Sequence, residues 1–184
     1  MSEAFEDIIG VLLEADGYWI KRNVKLQVPG AAALGLKSGA CELDLVAFRP
    51  TDPAEVLIIE CKSFGRSGGI DWKTFAPPEG ATTRRHRYKL FWSQQLRQGI
   101  VELLQVNRIT PPQLPHVFCL ASAATAKAHH QLIANHLSDS GMRFFDRFWV
   151  EQRLQALGNN RVYQNCVVSS LACFYHSTAN NGYA

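Results

Sequence analysis

Two apolar runs constrain this chain more than any other feature: CELDLVAF at residues 41–48 and VLIIECKS at 56–63, parted only by RPTDPAE. Both are short, aliphatic and partly β-branched, so both read as strands. The link is short and Asp52-Pro53 favours a turn within it, which predicts an antiparallel hairpin or something close to one. Yet these strands carry Glu42, Asp44, Glu60 and Lys62. Side chains alternate faces along a strand. On that rule Glu42, Asp44, Val46 and Phe48 share one face of the first strand, and Val56, Ile58, Glu60 and Lys62 share one face of the second. Pairing then brings Asp44 beside Glu60.

Two carboxylates about 5 Å apart repel by on the order of 3 kcal/mol at an effective dielectric near 20. Lys62 offsets part of this, and Glu42 leaves the patch negative. A hard divalent cation would relieve the repulsion, because Mg²⁺ takes carboxylate oxygens and keeps several waters. Two other readings stand beside it: an edge strand guarded from aggregation by its charges, and a carboxylate pair acting as acid and base. The run VLIIEC is too apolar for an exposed edge.

The remaining sequence predicts one α/β domain over residues 1–176, with 177–184 as a frayed tail. Phe5, Ile8, Ile9, Leu12 and Leu13 fall at helical spacing in the first segment, with Ser2 as N-cap and Gly17 as a stop. YWIKRNVKLQV alternates toward a strand, and PGAAALGLKSGA is a Gly-rich turn or loop. After the hairpin, FGRSGGIDWKTFAPPEGATT has no steady period and reads as a long loop. RRHRYKLFWSQQLRQGIVELLQV predicts one long helix, HVFCLAS a strand, TAKAHHQLIANHLSDS a helix, MRFFDRFWV a strand and EQRLQAL a short helix. VYQNCVVSSLACFYH closes the series without a clear period.

Asp44, followed by Glu60-Cys61-Lys62 at the end of an apolar strand, resembles the PD-(D/E)XK nuclease superfamily. Leu43 stands where the proline of that motif would be. FEDIIGVLLEADGY is similar to the first helix of Holliday-junction-resolvase-like members, where a glutamate precedes a Gly-aromatic pair as Glu6 precedes Gly17-Tyr18. ELDLVA likewise resembles their E-[IL]-D-[LI]-[IV]-A strand. The likeness is close over residues 1–63; beyond them only the element order fits.

The resemblance implies a restriction-endonuclease-like α/β/α sandwich with a central mixed β-sheet. It also implies a Mg²⁺-dependent deoxyribonuclease, an endonuclease hydrolysing phosphodiester bonds in DNA. Asp44 and Glu60 would hold Mg²⁺ or Mn²⁺, with the Cys61 carbonyl as a further oxygen ligand and Glu6 near the metal. Lys62 would orient the attacking water and stabilise charge in the transition state. Many members also set a polar helix residue against the active site; Gln95, inside the stripe of Tyr88, Phe91, Trp92, Leu96, Ile100 and Leu103, is the residue expected there. Many single-domain members cut duplexes as dimers, which leaves a homodimer open. The rival is a non-catalytic nucleic-acid-binding or scaffolding domain on the same fold.

Charge distribution bears on the partner. Residues 1–60 hold five basic and ten acidic side chains, while residues 61–97 hold eight basic and two acidic, a local net of +6. Arg84, Arg85, Arg87 and Lys89 concentrate that charge at a predicted helix start, where cations oppose the helix dipole and a polyanion would favour them. His129 and His130 read as a polar helix face, and the Cys166, Cys173, His176 spacing suits zinc poorly. Five cysteines, mostly in apolar surroundings, fit reduced thiols. The acidic start MSEAFEDIIG lacks the basic opening of a signal peptide, and no run is long enough to span a membrane, so a cytoplasmic location is expected.

Overall fold

A computed structural model of the chain describes residues 2–28, 39–63, 69–76, 88–159 and 168. Helix α1 (Ser2–Ala15) ends in a left-handed glycine cap: Gly17 has φ 85°, and the Gly17 and Tyr18 amides donate to Glu14 O and Leu13 O, each at 3.0 Å. Three strands follow, β1 (Trp19–Gln27), β2 (Ala40–Arg49) and β3 (Glu55–Lys62). They pair antiparallel in sequence order, so the predicted hairpin forms. Strand β4 (His116–Ser122) then lies parallel to β3, and β5 (Arg143–Phe145) parallel to β4. The result is a five-stranded mixed sheet in the order β1-β2-β3-β4-β5.

Two short helices, α2 (Trp72–Phe75) and α3 (Lys89–Trp92), and the longer α4 (Gln94–Val106) occupy the β3–β4 crossover. Helix α5 (His130–Asp139) joins β4 to β5, and α6 (Arg147–Asn159) follows β5. Two cores separate by sheet face. Val56, Ile58, Phe118 and Leu120 pack with Phe75, Phe91, Ile100 and Ile133 of α2–α5. Leu57, Ile59, Cys61 and Cys119 pack on the other face with Ile9 and Leu12 of α1 and Val150 of α6. A central strand covered on both faces must be apolar at successive positions, which explains VLII.

Three expectations need correction. The long helix breaks at Ser93, whose extended backbone leaves its Oγ to accept from the Leu96 amide at 3.2 Å and cap α4. The Trp92 indole donates to Phe75 O at 2.8 Å and ties α3 to α2, inside the segment expected to be only loop. MRFFDRFWV is a strand only over Arg143–Phe145, because Asp146 accepts from the Trp149 amide at 2.8 Å and starts a helix at Arg147. The final segment, apart from Val168, and the tail lie outside the described residues.

The strand alternation also departs from expectation. Asn23 has φ 53°, and the β1–β2 register passes from Arg22↔Leu45 to Val24↔Leu43 without pairing Asn23 to Asp44. On β2, Leu43 packs with Val46 in one core, while Leu45 and Ala47 belong to the other. On β1, Val24 and Leu26 share the core of Leu43, and Ile20 packs with that of Leu45. Both strands thus change face at the same level, where Asn23 and Asp44 are left unpaired. Asparagine tolerates a left-handed backbone better than most residues.

Candidate active site at the fork of two strands

The β2–β3 ladder runs from Arg49↔Glu55 to Leu45↔Ile59 and stops. Asp44 sits just beyond this last pair, at the level of the face switch. The Cys61 amide donates to Asp44 Oδ2 at 2.6 Å, so a carboxylate stands where the ladder would supply a carbonyl. Glu60 is the chain neighbour of Cys61 and feels the Asp44 charge. Lys62 Nζ hydrogen-bonds Glu60 Oε1 and donates to Cys61 O at 3.1 Å. The Cys61 thiol is buried in the core beneath α1.

Burial pushes the Glu60 carboxyl up; the Lys62 charge opposes this, and the charges of Asp44 and Glu6 add to it. Glu6 is only 7% exposed on α1, so the helix brings a third carboxylate into the field of the strand pair. The same charges, after burial, raise the Cys61 thiol. Among the described residues no three His, Cys, Asp or Glu side chains form a preassembled metal cluster. What the fork holds is two carboxylates and a main-chain carbonyl, with one ammonium bridging the second carboxylate and the carbonyl.

Glu42 is exposed, lies 3.9 Å from Lys25 on β1 and borders one cavity with Glu60. Gln95 is likewise exposed, in the first turn of α4, and makes no hydrogen bond to Asp44, Glu60 or Lys62. The break at Ser93 resets the helix phase, so Leu96, Ile100 and Leu104 form the buried stripe and Gln95 falls beside it. Lys89 opens α3 and lines a cavity of about 180 Å³ with Glu60, Cys41, Tyr88 and Phe91. Burial, and then the Glu60 charge, push the Cys41 thiol up to about 11, with Lys89 opposing. Arg84, Arg85 and Arg87 lie outside the described residues.

Sequence reasoning passed over Asn23 and the residues around Glu55. Asn23 carries no signal beyond its residue type in a strand. Glu55 is only 4% exposed and meets Arg143, 88 positions later, a pairing that no local pattern reveals.

No protein-family model matches the chain. No curated protein matches it either. Among solved structures, a protein described as of unknown function, AF1548, superposes with a TM-score of 0.50 at 14% identity, covering 93% of this chain and 77% of its own. An XisH family protein from Nostoc punctiforme PCC 73102 matches with a TM-score of 0.39 at 15% identity, over 81% of this chain and 93% of its own. Among the described residues no helix is long and apolar enough to cross a membrane. The likeness to the first of these structures shows a shared mixed α/β fold and nothing about chemistry.

Proposed function

We propose that this chain is a metal-dependent nuclease on a restriction-endonuclease-like fold, hydrolysing phosphodiester bonds in DNA. One observation carries the reading: Asp44 is fastened to the Cys61 amide at 2.6 Å beside Glu60, with Lys62 bonded to Glu60 and to the Cys61 carbonyl. Carboxylate and carbonyl oxygens are hard donors, the kind that Mg²⁺ and Mn²⁺ take while retaining waters. Asp44, Glu60 and the Cys61 carbonyl would hold the ion, with the buried Glu6 adding negative charge from α1. Once bound, it would supply an acidified water and neutralise charge on the phosphate.

The protein's own contribution is position and charge. The Asp44–Cys61 bond fixes one carboxylate without a side-chain rearrangement. Lys62 would donate to the attacking water or to the developing charge on phosphate. Lys89 lines a cavity with Glu60 and follows Arg84, Arg85 and Arg87 in the sequence. A non-catalytic nucleic-acid-binding or scaffolding domain on the same fold is the second reading, favoured by the Lys62 ammonium that already engages the Glu60 carboxylate.

Supercoiled, linear and branched DNA, each incubated with Mg²⁺, Mn²⁺ or EDTA, separates the two. The nuclease reading expects cleavage with either metal and none in EDTA. Binding without cleavage under all conditions would leave the scaffold.

A further inference from the structure

Strand β3 carries a second ionic assembly at its other end. Glu55 lies five residues before Glu60, about 16 Å away at the rise of an extended strand. The Arg143 fork grips Glu55 at 2.9 and 2.6 Å, Arg49 Nη2 adds a bond at 3.2 Å, and the Tyr18 hydroxyl donates to the same carboxylate. Next to this knot Arg153 Nη1 pairs with Asp16 at 3.1 Å and its guanidinium lies 5.7 Å from the centre of the Trp149 ring. These residues border an open cavity of about 250 Å³, larger than the one beside Glu60.

A buried carboxylate needs one bidentate arginine to be satisfied. Here three guanidiniums face two carboxylates, Glu55 and Asp16, and leave one positive charge in excess. Tyr18 adds no negative charge, since burial and Glu55 push its hydroxyl up to about 12. Arg143 and Arg153 are each close to half exposed, at 43% and 45% of the side chain, so both reach the solvent that fills the cavity. Leu13, Phe145 and Trp149 supply an apolar wall on the same cavity. Excess guanidinium charge beside an aromatic wall suits an anion that carries a flat organic group.

We propose that this cavity binds a phosphate monoester bearing a nucleoside, with Arg153 and Arg143 on the phosphate and Trp149 beside the organic group. The site is separate from the carboxylate fork and requires no metal. The ligand is either a free nucleotide or the phosphorylated end of a DNA strand.

Calorimetry in EDTA tests this with AMP and with a single-stranded oligonucleotide in 5′-phosphorylated and 5′-hydroxyl forms. Saturable one-to-one binding of AMP, with no gain from the 5′-phosphate, assigns the free nucleotide. A tenfold or greater preference for the phosphorylated strand assigns the strand end. Either result must weaken at least tenfold in Arg153→Ala and remain unchanged in Lys127→Ala, an exposed lysine that does not line the cavity. Arg153 does not touch Glu55, so that variant keeps the buried ion pair, and a thermal melt confirms its fold. Absence of binding to both AMP and the phosphorylated strand overturns the proposal, as does wild-type affinity in a folded Arg153→Ala. Loss of DNA cleavage in wild type would count against the nuclease reading and leave this one standing.

Discussion

The Cys61 amide and the Asp44 carboxylate, on neighbouring strands, are joined by a 2.6 Å hydrogen bond just past the last paired residues of β2 and β3. A side-chain oxygen completes the ladder, so Asp44 has a structural bond and a proposed ligand role at once. The two are separable. Asp44→Asn retains an oxygen acceptor for Cys61 and should melt close to wild type, yet lose at least about 100-fold in metal-dependent cleavage, as expected when a charged group is removed from an electrostatic centre. Asp44→Ala strips the acceptor as well and should cost a further 1–3 kcal/mol or so of stability. Plasmid nicking and thermal melts on both variants check this. Wild-type cleavage by Asp44→Asn would remove Asp44 from the site.

The hairpin was legible because a short link between two apolar runs is a local signal. The helix C-cap at Gly17 was legible for the same reason. Gln95 was misplaced because its facing depends on helix phase, and the break at Ser93 resets that phase. Asp146 could have been read as a helix start, but the aromatic residues on both sides of it favour a strand by propensity alone. The Glu55 assembly joins Tyr18, Arg49, Arg143 and Glu55 from four strands or their flanks, a convergence that only the tertiary fold creates.

The face switch at Asn23 gives a second prediction. At φ 53° a β-branched residue is disfavoured, whereas glycine is not. Asn23→Val should destabilise the fold by about 1–2 kcal/mol, while Asn23→Gly should stay within about 1 kcal/mol of wild type. Urea midpoints measure both. If valine is tolerated as well as glycine, the left-handed backbone at this position is not what sets the register.

The two glutamates of β3 should tilt stability with pH in opposite senses. For Glu55 burial alone would raise the carboxyl, but the bonds from Arg143 and then Tyr18 outweigh it, and the net shift is below 4.5. The unfolded chain therefore binds this proton more readily, and the stabilisation is complete above 4.5 and lost as pH falls through the folded value. For Glu60 burial wins and the net shift is above 4.5, so folded protein loses stability as pH rises from 4.5 through the folded value. Glu55→Gln should flatten the acid limb of a Tm–pH profile and, by uncoupling two arginines, cost about 3 kcal/mol or more at neutral pH. Glu60→Gln should remove the opposite slope and raise Tm in EDTA on the alkaline side of the folded value. A Glu60→Gln profile that overlays wild type would show the fork is not electrostatically loaded.

Affinity for DNA should fall steeply with salt if the basic segment contacts phosphates. Each contact removed lowers the log–log slope by about 0.9 on duplex DNA. Lys89→Ala, and Arg84→Ala with Arg85→Ala, measured by fluorescence anisotropy across a salt series, test whether these cations belong to the interface. Unchanged slopes in both variants would return them to an ordinary solvated surface.

Lys62 allows the sharpest separation of binding from chemistry. Its ammonium bonds Glu60 and the Cys61 carbonyl, and its charge holds the Glu60 carboxyl lower than burial, Asp44 and Glu6 would set it. An interaction made only in the transition state lowers kcat and kcat/KM together and leaves KM little changed. Lys62→Ala should therefore slow cleavage at least about 100-fold while DNA affinity in Ca²⁺ or EDTA stays near wild type. Removing this charge also lets the other influences on Glu60 act unopposed, so the carboxylate forms at higher pH. The acid limb of the residual cleavage should move to higher pH, a displacement that a purely structural lysine would not produce. Lys62→Arg should rescue poorly, because a planar guanidinium cannot replace a compact ammonium between a carboxylate and a carbonyl. Cleavage that survives Lys62→Ala undiminished, with its pH profile unmoved, would take Lys62 out of the proposed site and leave Asp44 and Glu60 without their cationic partner.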